Sequence, residues 1–150
     1  MTIWIDADSC PAKVRDFVVN YGNSYSIPVH FVANKPIPSN STGFTMIVCE
    51  QKKDAADDCI VDSTQEADLV ITRDILLAER LVKKGIRVIN DRGFYFTVDN
   101  IQKKVEDRLM DLQLSDLGYG GAKNGYSHKH FEAFAKCFET QMQTLMRLYR

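Results

Sequence analysis

Two short runs, Ile3-Trp4-Ile5 and Leu69-Val70-Ile71, carry no polar residue on either face. A strand that faces water alternates polar and apolar residues. A strand buried on both sides does not, and such strands belong to parallel sheets covered by helices. Each run also ends in acid. Asp6 and Asp8 follow the first, and Asp74 follows the second after Thr72 and Arg73. In open α/β sheets, ligands bind beyond the carboxyl ends of the strands. Two buried strands that each deliver an acid to one edge therefore predict a metal or phosphate site there.

The rest of the pattern agrees with a layered α/β chain. Val14, Phe17, Val18 and Tyr21 have helical spacing, with Ser9 as the expected N-cap and Gly22 as the expected stop. Strands are predicted at 27–33, 45–49, 69–72 and 86–89, with a short extended piece at 94–97. Helices are predicted from Asp54, from Asp74 to Gly85, and over 98–114 with Thr97 as cap. A last helix, 127–148, carries Phe131, Phe134, Phe138, Met142 and Leu145 along one face, and Tyr149 continues the stripe just past its end. Four glycines at 118–125 predict a loop. Strands that alternate with helices predict one domain over 1–150, a three-layer α/β/α sandwich with a mostly parallel central sheet. The apolar runs place the strands at 3–5 and 69–72 near its centre.

Composition narrows the function. At 150 residues and a formal net charge of −1, the chain is not a globally basic nucleic-acid binder, so any such contact needs a local patch. No stretch is apolar for long enough to cross a membrane. The amino end has no basic region before an apolar core, so it reads as a first strand, and a cytoplasmic location is expected. Cys10, Cys49, Cys59 and Cys137 are scattered, as reduced thiols would be.

The acids are the candidates for chemistry. Asp6 follows three apolar residues and has no turn or capping role. Asp8 shares its side if the chain stays extended. Asp74 is also a natural N-cap. Asp54 and Asp57 fit a capping box, yet with Asp58 they share one helical turn and can reach a common cation. Asp62, Glu66 and Asp68 read as a solvated helix end and turn. Clustered carboxylates raise one another's pKa, and a hard divalent cation such as Mg2+ or Mn2+ relieves the conflict. Arg73, Arg92, Lys35 and Lys123 are loop cations placed to contact phosphate near that edge. His30 reads as a satisfied strand histidine. His128 and His130 lack partners for zinc. Asp6 and Asp8 oppose activation of Cys10.

The blocks Ile5-Asp6-Ala7-Asp8-Ser9-Cys10-Pro11, Ile27-Pro28-Val29 through Val32-Ala33-Asn34-Lys35-Pro36, Asp54-Ala55-Ala56-Asp57 with Ile60-Val61, Asp68 to Asp74, Asn90-Asp91-Arg92-Gly93, Asn100-Ile101 and Gly120-Gly121 span nearly the whole chain. Together they resemble the YaiI/YqxD-type group of uncharacterised bacterial proteins, related to PIN-like nuclease domains. The resemblance implies a PIN-like fold in which acids after the first strand, on a middle helix and after a later strand bind magnesium or manganese. Asp6, Asp57 and Asp74 match those places as metal ligands, with Asp8 and Asp54 as extra acids, Asp8 a catalytic one. Ser9, Asn34, Thr72, Arg73, Arg92 and Lys123 are the substrate contacts expected around them. The reaction implied is cleavage of single-stranded RNA. The chain departs from the family where Arg73 replaces a small residue and Leu76 replaces a proline. An arginine there either holds phosphate or fills the acidic site. Two other classes compete. One is a phosphatase of the haloacid dehalogenase type with Asp6 as nucleophile and Asp8 as acid/base. The other is a noncatalytic module that binds nucleic acid or protein.

Overall fold

A computed structural model describes residues 1–38, 42–52, 54–116 and 125–150, with the side chains of 114–116 left aside. Six strands form one sheet: β1 (Ile3–Asp6), β2 (Val29–Ala33), β3 (Thr45–Val48), β4 (Leu69–Ile71), β5 (Arg87–Ile89) and β6 (Tyr95–Phe96). Their order is β3-β2-β1-β4-β5-β6. All neighbours pair in parallel except β6, which runs antiparallel to β5. The two fully apolar runs are thus the central pair, as a strand covered on both faces must be. The topology turns between them. From β1 the chain winds outward to β2 and β3, and from β4 it winds the other way. The crevice of an open α/β sheet lies at such a point.

The helices are α1 (Ala12–Tyr25), α2 (Ala55–Ser63), α3 (Ile75–Lys84), α4 (Val98–Asp116) and α5 (His128–Tyr149). One core cluster joins Ile3, Ile5, Leu69 and Ile71 to Val14, Val18, Phe134, Phe138 and Met142, so α1 and α5 cover one face. The other joins Trp4, Val32 and Val70 to Ile60, Leu77, Leu81 and Ile101, so α2, α3 and α4 cover the second. This is a three-layer sandwich. No helix among the described residues is long and apolar enough to cross a membrane.

Caps fall largely where the residue types demand. Asp74 accepts the N–H groups of Leu76 and Leu77, and Gly85 closes α3 at a φ of 89°. Thr97 and Asn100 exchange reciprocal bonds at the start of α4, and Ser127 and His130 do so for α5. Three expectations at helix ends fail. Ser9 does not cap α1, because residues 7–9 form a 3-10 turn and Pro11 takes the cap position. Gly22 does not end α1, which continues to Tyr25. A Cβ on Gly22 would sit 2.6 Å from Val29 Cγ2 and 2.7 Å from the Ile27 carbonyl, so that glycine permits close packing of helix on strand. Asp54 makes no side-chain cap, since it sits in the left-handed region at a φ of 66°.

Candidate functional site

Strand alternation sends Asp6 to the face of the sheet that Trp4 shares, beneath α2 and α3. The chain then turns at residues 7–9, which brings Asp8 round by a helical turn and not by the extended path expected. Asp57 arrives from the first turn of α2, and Asp74 from the N-cap of α3. A cleft of 470 Å³ opens among them, lined by Asp6, Asp8, Ser9, Asn34, Asp57, Arg73 and Asp74, with Ala56, Ile75 and Arg108. It lies at the carboxyl edge of β1 and β4.

A hydroxyl pair organises the acids. Thr72 Oγ1 donates to Asp6 Oδ2 at 2.7 Å and accepts the Asp74 N–H at 3.0 Å. Ser9 Oγ donates to Asp6, 3.2 Å from the same Oδ2, and accepts the Arg73 N–H at 3.1 Å. Thr72 is fully buried, so it ties two acids together behind the cleft and faces no ligand. Asn34 Nδ2 bonds the Glu50 carbonyl at 2.7 Å, which fixes the loop beyond β2 at the rim.

Asp6 is 7% exposed. Burial raises its pKa, the hydroxyls of Thr72 and Ser9 oppose the rise, and the charges of Asp74 and Asp8 add to it. Burial pushes Asp57 up to about 7, helped by the charges of Asp74, Asp6 and Asp54 and opposed by Arg80. Asp57 therefore binds its proton more tightly folded than unfolded, where 3.8 applies. Stability from this group is full below the unfolded value and is lost as pH rises through the folded one. Without metal, the contribution of Asp57 to the melting temperature should fall away between about pH 4 and about pH 7, and Asp57→Asn should remove that part of the slope. A wild-type slope shared by the variant would remove Asp57 as its source.

Arg73 does not fill the acidic site. Its guanidinium turns to Asp91, after β5, with Nε 3.3 Å from Oδ1 and Nη2 bonded to Oδ2. Asp91 is fully buried, and Tyr126 donates to its carbonyl. Arg92 does not line the cleft, and its buried Nε has no partner among the described residues. Lys123 lies outside the described residues. Burial, then the charges of Asp91 and Asp6, hold the Cys10 thiol far above its ordinary range, so it is no nucleophile. His30 is not satisfied: its Nδ1 is buried without a partner, and the ring stands edge-on to Trp4 at 4.6 Å. Sequence reasoning missed Asp91 and Arg108. Asp91 sits in a turn motif that already explains an aspartate, and Arg108 sits in a helix whose charges look merely solvated.

The donor set fits a hard cation that keeps its water. Among the described residues, Asp6 Oδ1, Asp74 Oδ2 and both Asp57 oxygens accept no hydrogen bond, and none of the four cleft acids forms an ion pair. Also among the described residues, no three His, Cys, Asp or Glu side chains stand close enough to hold one ion together. Magnesium needs only one or two carboxylates, because waters complete its shell.

The family model described as "Uncharacterized BCR, YaiI/YqxD family" matches residues 4–146. The chain belongs to this family. It is 39% identical to a UPF0178 protein of Treponema denticola, over 98% of this chain and 95% of that relative. A UPF0178 protein of Treponema pallidum is 37% identical, over the whole of this chain and 86% of its own length. One from Psychromonas ingrahamii is 37% identical, over 95% of this chain and 96% of that protein. No solved structure matches the chain.

Proposed function

We propose that the chain is a divalent-metal-dependent phosphodiesterase that hydrolyses single-stranded RNA. The observation that carries this reading is the convergence of Asp6, Asp8, Asp57 and Asp74 on one cleft at the switch point of the sheet. Burial and, after it, like charges raise Asp6 and Asp57 there, a conflict that a cation relieves. The resemblance to PIN-like nuclease domains points the same way.

Asp6 and Asp74 would hold Mg2+ or Mn2+, directly or through its waters, with Asp57 facing those waters from α2. Bound there, such a cation would polarise a phosphodiester and lower the pKa of water. The chain's own groups supply the rest. Thr72 and Ser9 keep Asp6 aimed into the cleft through one oxygen and leave the other for the ligand. Asp57 lines the same cleft from the first turn of α2 and is the carboxylate placed to take the proton of the attacking water. Asp8, exposed beside it, can orient that water. The water oxygen would bond to phosphorus as its proton passes to Asp57, the P–O bond to the leaving nucleoside would break, and the leaving oxygen would take a proton from solvent.

Purified protein should cut single-stranded RNA with manganese or magnesium and stop in EDTA. Hydrolysis of a small phosphomonoester in place of RNA would favour the phosphatase reading, in which Asp6 attacks phosphorus itself. Tight RNA or protein binding with no cleavage would favour the binding module.

A further inference from the structure

The acids of the cleft are accompanied by two arginines that pair with none of them. Arg73 is fixed at both ends: its main-chain N–H bonds Ser9 Oγ at 3.1 Å, and its guanidinium forks onto Asp91. Asp91 is 0% exposed, so the anchor cannot swing out to water. The Arg73 side chain is still 48% exposed, and among the described residues its Nη1 makes no hydrogen bond. Tyr126 bonds the Asp91 carbonyl and holds that turn from the start of α5. Arg108 reaches the same cleft from α4 and, among the described residues, pairs with no carboxylate. Two guanidiniums that line an acidic cleft and leave its acids alone are arranged for an external anion. Arg73 keeps Nη1 for such an anion and Arg108 its guanidinium, and guanidinium N–H groups make charge-assisted bonds to phosphate.

We propose that Arg73, positioned by Asp91, and Arg108 form a phosphate subsite for a nucleic-acid strand, next to the phosphate that the acids act on. The inference rests on the hydrolase reading for the role of the acids. A substrate with a single phosphate would engage the acids and leave both arginines idle, so the subsite selects a strand. Asp91 acts only through Arg73 and touches no substrate.

The test is binding of a fluorescent single-stranded oligoribonucleotide of about ten nucleotides, a span in the range of single-strand sites. It uses the full chain in EDTA across a salt series. Arg73→Gln and Arg108→Gln should each weaken Kd about tenfold, the scale of a charge-assisted hydrogen bond. Each should also lower the slope of log affinity against log salt by about 0.7. Arg73→Lys keeps the charge but cannot fork onto Asp91 and still present an N–H to the cleft, so it should keep the slope and lose affinity. Melting curves confirm that each variant folds. Arg108→Gln removes no ion pair seen among the described residues, so it secures the test if Arg73→Gln does not fold. Unchanged affinity and slope in a folded Arg108→Gln, or no binding by wild type, would overturn the subsite. Inorganic phosphate that competes as well as the oligonucleotide would overturn the assignment to a strand. Cleavage is read separately. RNA bound through both arginines but never cut keeps the subsite and fails the hydrolase reading. RNA cut with KM unchanged in both variants does the reverse.

Discussion

Asp6→Asn should abolish metal-dependent RNA cleavage and leave the metal-free chain at least as stable as wild type. The carboxylate is almost out of water, and its charged form is disfavoured by burial and by Asp74 and Asp8. Asparagine has the same shape, and its carbonyl can keep the hydrogen bond from Thr72 Oγ1. The substitution therefore removes a repulsive charge at little structural cost, and the melting temperature in EDTA should hold or rise. It also takes away one of the charges that raise Asp57, so the pH dependence of stability should soften. Activity should fall by more than the ~10–100-fold that residues orienting a ligand indirectly carry. Manganese should raise the melting temperature of the wild type by mass action and should not raise that of the variant. Wild-type cleavage by a purified Asp6→Asn protein would sink the assignment and point to a contaminating nuclease.

Much of this was legible before any coordinates. Runs that are apolar on both faces have one stable environment, so β1 and β4 announced the centre of the sheet. Their acids then had to share an edge. Asp74 shows that a local and a distant role can coincide, for it caps α3 and lines the cleft at once. The failures have a common physical cause. A residue's burial depends on what arrives from far along the chain. Arg73 and Asp91 meet across two adjacent strand ends, 18 residues apart in sequence. Arg108 reaches the cleft only because α4 packs beside α3, which its own polar pattern does not encode. The 3-10 turn after Asp6 replaced an extended path by a tighter one, and Asp8 reached the cleft all the same. Asp68 is the sharpest case, an acid read as solvated that proves to be a buried anchor.

Asp68→Ala should cost the chain about 3–5 kcal/mol, the range for leaving several buried donors without an acceptor. Asp68 is 4% exposed. Its carboxylate accepts the Thr2 N–H at 2.8 Å, the Trp4 indole N–H at 3.0 Å and the Gln65 N–H at 2.9 Å. It thus ties the start of β1 and the turn before β4 together across 66 residues. Alanine leaves the Trp4 indole donor unpaired in a buried position, where water cannot replace the lost oxygen. For a chain of this length the loss corresponds to roughly 10 °C in melting temperature. Asp68→Asn keeps one carbonyl oxygen and should fall between alanine and wild type. Cleavage per folded molecule should be unaffected, because Asp68 precedes β4 and the cleft lies beyond its other end. Thermal melts and denaturant titration measure the first effect, and activity normalised to folded protein measures the second. A loss under about 1 kcal/mol would mean that these bonds merely replace equivalent ones to water. A specific loss of activity in the folded variant would mean that the two ends of β4 are coupled.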